Sequence, residues 1–197
     1  PEQPRSRKVA ITLNHSTAHP RLQCHTSCVY WGSKYQECPD VPERFDQEFC
    51  VLGSKGFTTG WLCWEVSVNE RDDAAAVKPG ASRLPFLWGG KASWAIGVAK
   101  ESVRRKGTFP LSSQEGIWAV GKSVKGEIVA FGLYEEKLSL QRPLQRLRVR
   151  LDCEARKVEF LDAETEASLY TCWVGPFLGE ALWPFFYLGQ DRVTLSV

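Results

Sequence analysis

The chain reads as an all-β protein, a two-layer curved antiparallel sandwich, and three observations carry that reading. Two runs have a period of two: Trp64, Val66 and Val68 alternate with Glu65 and Ser67, and Trp94, Ile96 and Val98 alternate with Ala95 and Gly97. Short strand-like runs recur along the chain with Gly, Pro and Asp turns between them. No long amphipathic helix interrupts this rhythm.

Residues 1–8, with Pro1, Pro4, Arg5, Arg7 and Lys8, lack periodicity and read as a linker or tail. Val9 to Leu13 reads as the first strand, and Asn14 to Pro20 as a turn or short helix. Arg21 to Tyr35 alternates weakly. Gln36 to Phe45 holds Pro39 and Pro42, which remove ladder donors, and reads as a loop. Further strands are expected at 49–52, 60–68, 117–120, 127–131, 147–151, 157–161, 169–172 and 193–197. Asn69 to Gly90 breaks the pattern with Pro79, Gly80, Pro85, Gly89 and Gly90. A long loop of this kind is commonly functional or disordered, so part of it is expected to be mobile and dispensable for folding, with Leu84, Phe86, Leu87 and Trp88 able to dock back. The small Ala95 and Gly97 side suits either a sheet-packing surface or the floor of a groove.

With 197 residues and 43% hydrophobic content, the chain can bury a sizeable core. A formal charge of +2 is too balanced to point to nucleic acid, and no apolar run is long enough to span a membrane. The absence of Met suggests a piece of a longer polypeptide without its own export signal. Seven scattered Cys, an odd number, are expected to be reduced, which fits a cytoplasmic setting. Cys24, His25, Cys28 and Cys38 lack the tight paired spacing of structural zinc, and no G-x-S-x-G surrounds any Ser. Arg104-Arg105-Lys106 reads as a solvated loop, and Glu154, Asp162, Glu164 and Glu166 as solvated turns.

Taken together, the motifs resemble a PRY-SPRY (B30.2) domain of the tripartite-motif (TRIM) and butyrophilin superfamily. The PRY portion is carried by Val9 to Leu13, Thr17 to Leu22, Pro39-Asp40 and Pro42 to Asp46. The SPRY portion is carried by Val51-Leu52-Gly53, Gly56-Phe57, Trp64-Glu65-Val66, Trp94 to Ala99, Arg104 to Gly107, Gly116-Ile117-Trp118, Leu151 to Glu154, Val158 with Phe160, and Trp183 to Phe186. The resemblance places PRY at about 9–60 and SPRY at about 61–197. Family members usually have Asp-Pro where this chain has Asn14-His15, Tyr or His at Cys63, Tyr at Cys153, and a turn Gly at Arg156.

The resemblance implies a protein-binding module with no catalytic residues, no cofactor and no metal of its own. It implies a ligand edge of variable loops at Trp31, Tyr35, Glu48, Ala95, Leu111, Gly121, Ser123, Tyr187 and Gly189. Relatives that bind antibody Fc carry tryptophans at the Gly121 and Ser123 positions, so that specificity does not transfer. The expected parent is a TRIM-type E3 ubiquitin ligase with a role in ubiquitination or innate immunity, its zinc held by a RING and B-box, and paired through a coiled coil. The alternative parent is a butyrophilin-like receptor. The isolated domain is expected to be monomeric, to bind a protein or peptide, and to contact neither nucleic acid nor membrane.

Overall fold

Alternating apolar residues commit this chain to sheets that must bury one face each, and two such sheets close over a shared core. The computed structural model describes residues 6–71, 90–175 and 179–197. Its strands are β1 (Arg7–Lys8), β2 (Leu22–Cys24), β3 (Cys28–Trp31), β4 (Cys50–Leu52), β5 (Trp61–Glu70), β6 (Ala92–Lys100), β7 (Ile117–Ser123), β8 (Ile128–Phe131), β9 (Glu135–Lys137), β10 (Arg146–Asp152), β11 (Lys157–Asp162), β12 (Ser168–Trp173), β13 (Leu182–Leu188) and β14 (Val193–Ser196). One sheet runs β12-β11-β10-β5-β14-β3-β2, with β1 added in parallel on β5; the other runs β4-β13-β6-β7-β8-β9.

The inner faces follow the period-two pattern. Leu62, Trp64 and Val66 of β5, Leu147, Val149 and Leu151 of β10, and Val158 and Phe160 of β11 pack against Trp94, Ile96 and Val98 of β6 and Phe186 and Leu188 of β13. Trp64 stacks on Phe57 with centroids 5.9 Å apart. Glu70 ties the sheets together: its carboxylate accepts from Trp94 Nε1 at 2.8 Å and from Lys122 Nζ at 2.7 Å. A large ring with its only donor satisfied is a well-fixed core element.

The outer face of the larger sheet is polar, and its charges are paired. Glu65 lies 2.9 Å from Arg148 and 3.3 Å from Arg146, and Arg150 lies 2.8 Å from Glu159. Burial works against ionisation of Glu65, but the hydrogen bond and charge of Arg148 outweigh it and hold the carboxyl below its usual range.

The structure departs from the sequence expectations at several places. Arg7–Lys8, read as tail, pairs with Leu62–Cys63, while of Val9 to Leu13 only Leu13 makes a bridge, to Gly53. Two further strands were not expected, β9 because Glu-Glu-Lys has no apolar alternation, and β13 because Pro184 argues against a central strand. Pro184 is accommodated because its carbonyl accepts from Gly53 N at 2.9 Å, so its missing N–H also faces that side, where β4 has ended. A Cβ on Gly53 would stand 2.9 Å from the proline ring, which is why glycine occupies that position. Asp162, expected on a solvated turn, is 6% exposed; its carboxylate caps the turn by accepting from Glu164 N at 2.9 Å. The expectations for the 69–90 insertion fall largely on residues 72–89, outside the described residues. All seven cysteines are free thiols, Cys24 and Cys50 buried and the others half-buried.

Arg156, at the turn where the resemblance implies a glycine, holds a φ of 53°. A left-handed conformation costs an L-residue roughly 1–2 kcal/mol. Arg156→Gly is therefore expected to raise stability by about 1 kcal/mol, offset in part by the larger entropy of the unfolded glycine, and thus to raise Tm by a few degrees. Thermal denaturation followed by circular dichroism checks this.

Candidate functional site

Strand registers bring the expected site residues to one end of the sandwich. Glu70 of β5 pairs with Val193, Leu188 of β13 with Trp94, Trp94 of β6 with Lys122, and Ala92 with Ser123, so both sheets terminate at the same pole. Trp31 Nε1 donates to Leu188 O at 2.8 Å and fastens the PRY hairpin there. One transverse row crosses the smaller sheet through Cys50, Tyr187, Ala95, Gly121, Val129 and Lys137. Ala95, Gly121 and Tyr187 thus lie side by side.

Most of this row is covered. Ala95 and Tyr187 are fully buried, in a second core with Phe45, Cys50, Phe109, Leu111 and Phe185. This settles the choice left open by sequence: the small-residue face packs beneath the 101–112 segment. Glycine is also needed for the close approach of β6 and β7, because a Cβ on Gly97 would lie 1.9 Å from Trp118 O and one on Gly121 2.1 Å from Trp94 O. Trp31, Glu48, Leu111, Ser123, Gly121 and Gly189 are likewise buried, while Tyr35 is 58% exposed.

Buried polar groups fix the loops of the pole. Glu48, 4% exposed, pairs with Lys91 Nζ at 2.5 Å and accepts from Phe109 N at 3.1 Å. The same ammonium donates to Phe109 O, and Lys91 N donates to Tyr187 OH at 2.9 Å. One lysine therefore joins the PRY loop, the start of β6, the 109–111 loop and β13. Burial pushes the Tyr187 hydroxyl well above the usual phenol range.

On the PRY side, His19, Arg21, Trp31, Tyr35 and Phe49 form a second group. The Arg21 guanidinium lies 4.9 Å from the Trp31 centroid and 5.7 Å from that of Tyr35. His19 Nδ1 accepts from Arg21 N at 2.9 Å, and its ring meets Phe49 edge-on at 4.7 Å.

The pole opens where the row passes beyond Gly121. A cleft of about 310 Å³ is lined by Lys91, Ser123, Val124, Lys125, Glu127, Val129, Glu135 and Lys137. Lys137 lies 3.5 Å from Glu127, whereas Lys125 and Glu135 have no ion-pair partner among the described residues. Val124 is 51% exposed at its rim. A mostly polar cleft with one exposed valine, one free cation and one free anion can hold an extended protein segment. Lys91, Val124 and Lys125 were missed by the sequence reading; the Val124-Lys125-Gly126 turn between two strand-like runs was the available signal for the last two.

The basic run is solvated at Arg104, as expected, but not at Arg105 and Lys106. Arg105 donates to Glu43 O at 2.7 Å, to Val103 O and Glu101 O at 3.2 Å, and lies 5.3 Å over the Phe45 ring. Lys106 Nζ donates to Asp40 Oδ1 and Arg44 O, each at 2.7 Å. These cations staple the 39–46 loop to the 101–107 segment. Arg105→Glu is accordingly expected to cost about 2–3 kcal/mol by leaving carbonyls without donors and bringing an anion against them. Urea denaturation against wild type measures the loss.

Comparison with known proteins agrees with this architecture. Residues 11–57 match the PRY, or SPRY-associated, domain and residues 85–196 match the SPRY domain. The chain belongs to the PRY-SPRY family, a protein-interaction module and not a catalytic one. Mouse E3 ubiquitin-protein ligase TRIM69 is 37% identical over 82% of the chain, and mouse butyrophilin subfamily 2 member A2 is 35% identical over 95%. The chain spans only 28% and 32% of those proteins. The fold also matches the TRIM65 PSpry domain, with a TM-score of 0.72 at 18% identity over 96% of this chain and 90% of that one. A stonustoxin structure matches with a TM-score of 0.75 at 21% identity, over 96% of this chain and 28% of that one.

Proposed function

We propose that the chain is the substrate-recognition domain of a TRIM-type E3 ubiquitin ligase, acting in ubiquitination or innate immunity. Its ligand is a protein segment held at the open pole. The observation that supports this placement is the cleft beside the Val124 turn, where an exposed valine and unpaired charge sit on a turn held by Ser123, whose Oγ accepts from Lys125 N at 3.2 Å and Glu127 N at 3.3 Å, next to the loops joined by Lys91 and Glu48. Rigid support under a small open patch limits the ordering cost of binding. In this reading the domain is cytoplasmic, zinc and the transfer chemistry reside in other domains of the parent, and a coiled coil pairs two copies. Avidity then raises a weak single-site affinity by about 10² to 10⁴.

A butyrophilin-like parent is the second reading, favoured by the longer span of that match, 95% of the chain against 82%. Affinity enrichment of interacting proteins from cells tests the shared part. Tyr35→Ala with Val124→Asp is expected to remove the enriched proteins while keeping Tm within about 2 °C, since exposed positions rarely change stability by more than about 0.5 kcal/mol. Unchanged enrichment would place the binding surface elsewhere. A ubiquitin-ligase assay on the parent chain distinguishes the two parents.

A further inference from the structure

Side chains alternate across a sheet, so the registers of β7, β8 and β9 decide which charges share the outer face at the open pole. Gly121 stands opposite Val129, Val129 opposite Lys137, and Phe131 opposite Glu135. Ser123 N donates to Glu127 O at 2.8 Å, which puts Glu127 in the last row before the Val124-Lys125-Gly126 turn. From the interior of the sheet toward the rim, the face presents Glu135 in the row of Phe131, Lys137 with Val129 two positions on, Glu127 after two more, and Lys125 at the turn. Glu136 alternates to the opposite face, where its charge raises the Tyr170 pKa.

Five charged residues line the cleft: Lys91, Lys125, Glu127, Glu135 and Lys137. Lys91 is held by Glu48 at 2.5 Å, and Lys137 lies 3.5 Å from Glu127. What remains is an uncompensated carboxylate at the inner end, Glu135, and an uncompensated ammonium at the rim, Lys125.

We propose that the segment bound in this cleft is dipolar: extended, with a Lys or Arg beside Glu135 and an Asp or Glu beside Lys125, four residues apart in either order. The inference rests on the placement of a protein ligand at this pole and adds its chemistry. The rows of Phe131 and Glu127 are four residues apart, about 14 Å at 3.4 Å per residue, and Lys125 reaches in from the turn just beyond. Residues i and i+4 of an extended segment span the same length on one face, whereas spacings of three or five put the two charges on opposite faces. The side chain between them, at i+2, meets the Lys137–Glu127 pair, where opposite charges offset each other, and is neutral. A uniformly basic or acidic segment would satisfy one end and repel the other.

Selection of random dodecapeptides displayed on phage against the wild-type chain tests this, with binding of the selected peptides measured by fluorescence anisotropy. Opposite charges at a spacing of four are expected in excess of spacings of three and five. For such a peptide, Lys125→Gln and Glu135→Gln are each expected to weaken binding by about threefold, an effect that fades at about 1 M salt. Replacing the peptide's acid by its amide should abolish the sensitivity to Lys125→Gln and keep the sensitivity to Glu135→Gln; replacing its base by Gln should do the converse. Both variants keep the wild-type Tm, since neither side chain has an ion-pair partner among the described residues. Peptides that lose binding to Val124→Asp but carry no such charge pair, or are indifferent to both Gln variants, overturn the dipolar ligand and leave the pole as the binding place. Peptides that bind Val124→Asp as well as wild type overturn the placement and this inference with it. A selection that yields no binding peptide overturns a linear segment as the ligand.

Discussion

Ala95→Arg is expected to abolish the native fold, leaving no cooperative thermal transition. Ala95 is fully buried between Tyr187 and Gly121, and a Cβ on Gly121 would already lie 2.8 Å from its Cα. A guanidinium there must displace Phe109 and Leu111 or remain in the apolar layer without an acceptor. An unpaired buried charge costs several kcal/mol before any packing strain is counted, and a domain of this kind has only about 5–15 kcal/mol to lose. From sequence alone, the same substitution would be chosen as a selective test of binding; the covered face makes it a test of folding. Differential scanning calorimetry decides. A variant that melts near the wild-type temperature would show that the 101–112 segment opens and that Ala95 is the floor of a groove.

The second large effect is on pH dependence. His19 is 2% exposed, and burial, opposed in part by a hydrogen bond and charge from Asp46 and assisted by the charge of Arg21, lowers its pKa to about 4. The unfolded imidazole titrates near 6.5, so between about 6.5 and 4 the unfolded state binds more protons than the folded one. Stability from this group is complete above about 6.5 and is lost as pH falls toward 4, by roughly 3 kcal/mol in total, or on the order of 10 °C in Tm. Asp162 is held below its usual range because hydrogen bonds from Glu164 and Thr165 and the charge of Arg142 outweigh its burial, and Glu65 is likewise depressed, so their losses come at lower pH. His19→Gln should flatten the profile between pH 6.5 and 4. A wild-type Tm constant across that window would contradict the neutral, buried His19.

The inward faces of β5 and β6 were legible because Trp64, Val66, Trp94 and Ile96 repeat at the sheet period, and the family resemblance placed them in one sandwich. β13 was hidden by Pro184, whose lost donor matters only if β4 continues past Gly53, and that register is not written locally. The position of the expected site residues at one pole was likewise accessible from the resemblance, but their burial was not. Small residues such as Ala95 and Gly121 fit an open floor and a covered strand equally well. What covers them, Phe109 and Leu111, lies in a segment without periodicity, and the lysine that locks it stands 43 residues from Glu48 in sequence. Arg105 and Lys106 show the same limit, since their acceptors are main-chain carbonyls that no side-chain pattern reveals.

The central claim is that a protein ligand occupies the open pole beside the Val124 turn. Hydrogen–deuterium exchange of the chain, alone and saturated with a protein recovered by affinity enrichment, tests it most directly. The account predicts slowed exchange in residues 32–36, 91–93, 123–127 and 135–137, with β10, β11 and β12 unchanged at constant chain concentration. Protection confined to β10–β12, with the pole exchanging as in the free chain, would contradict it.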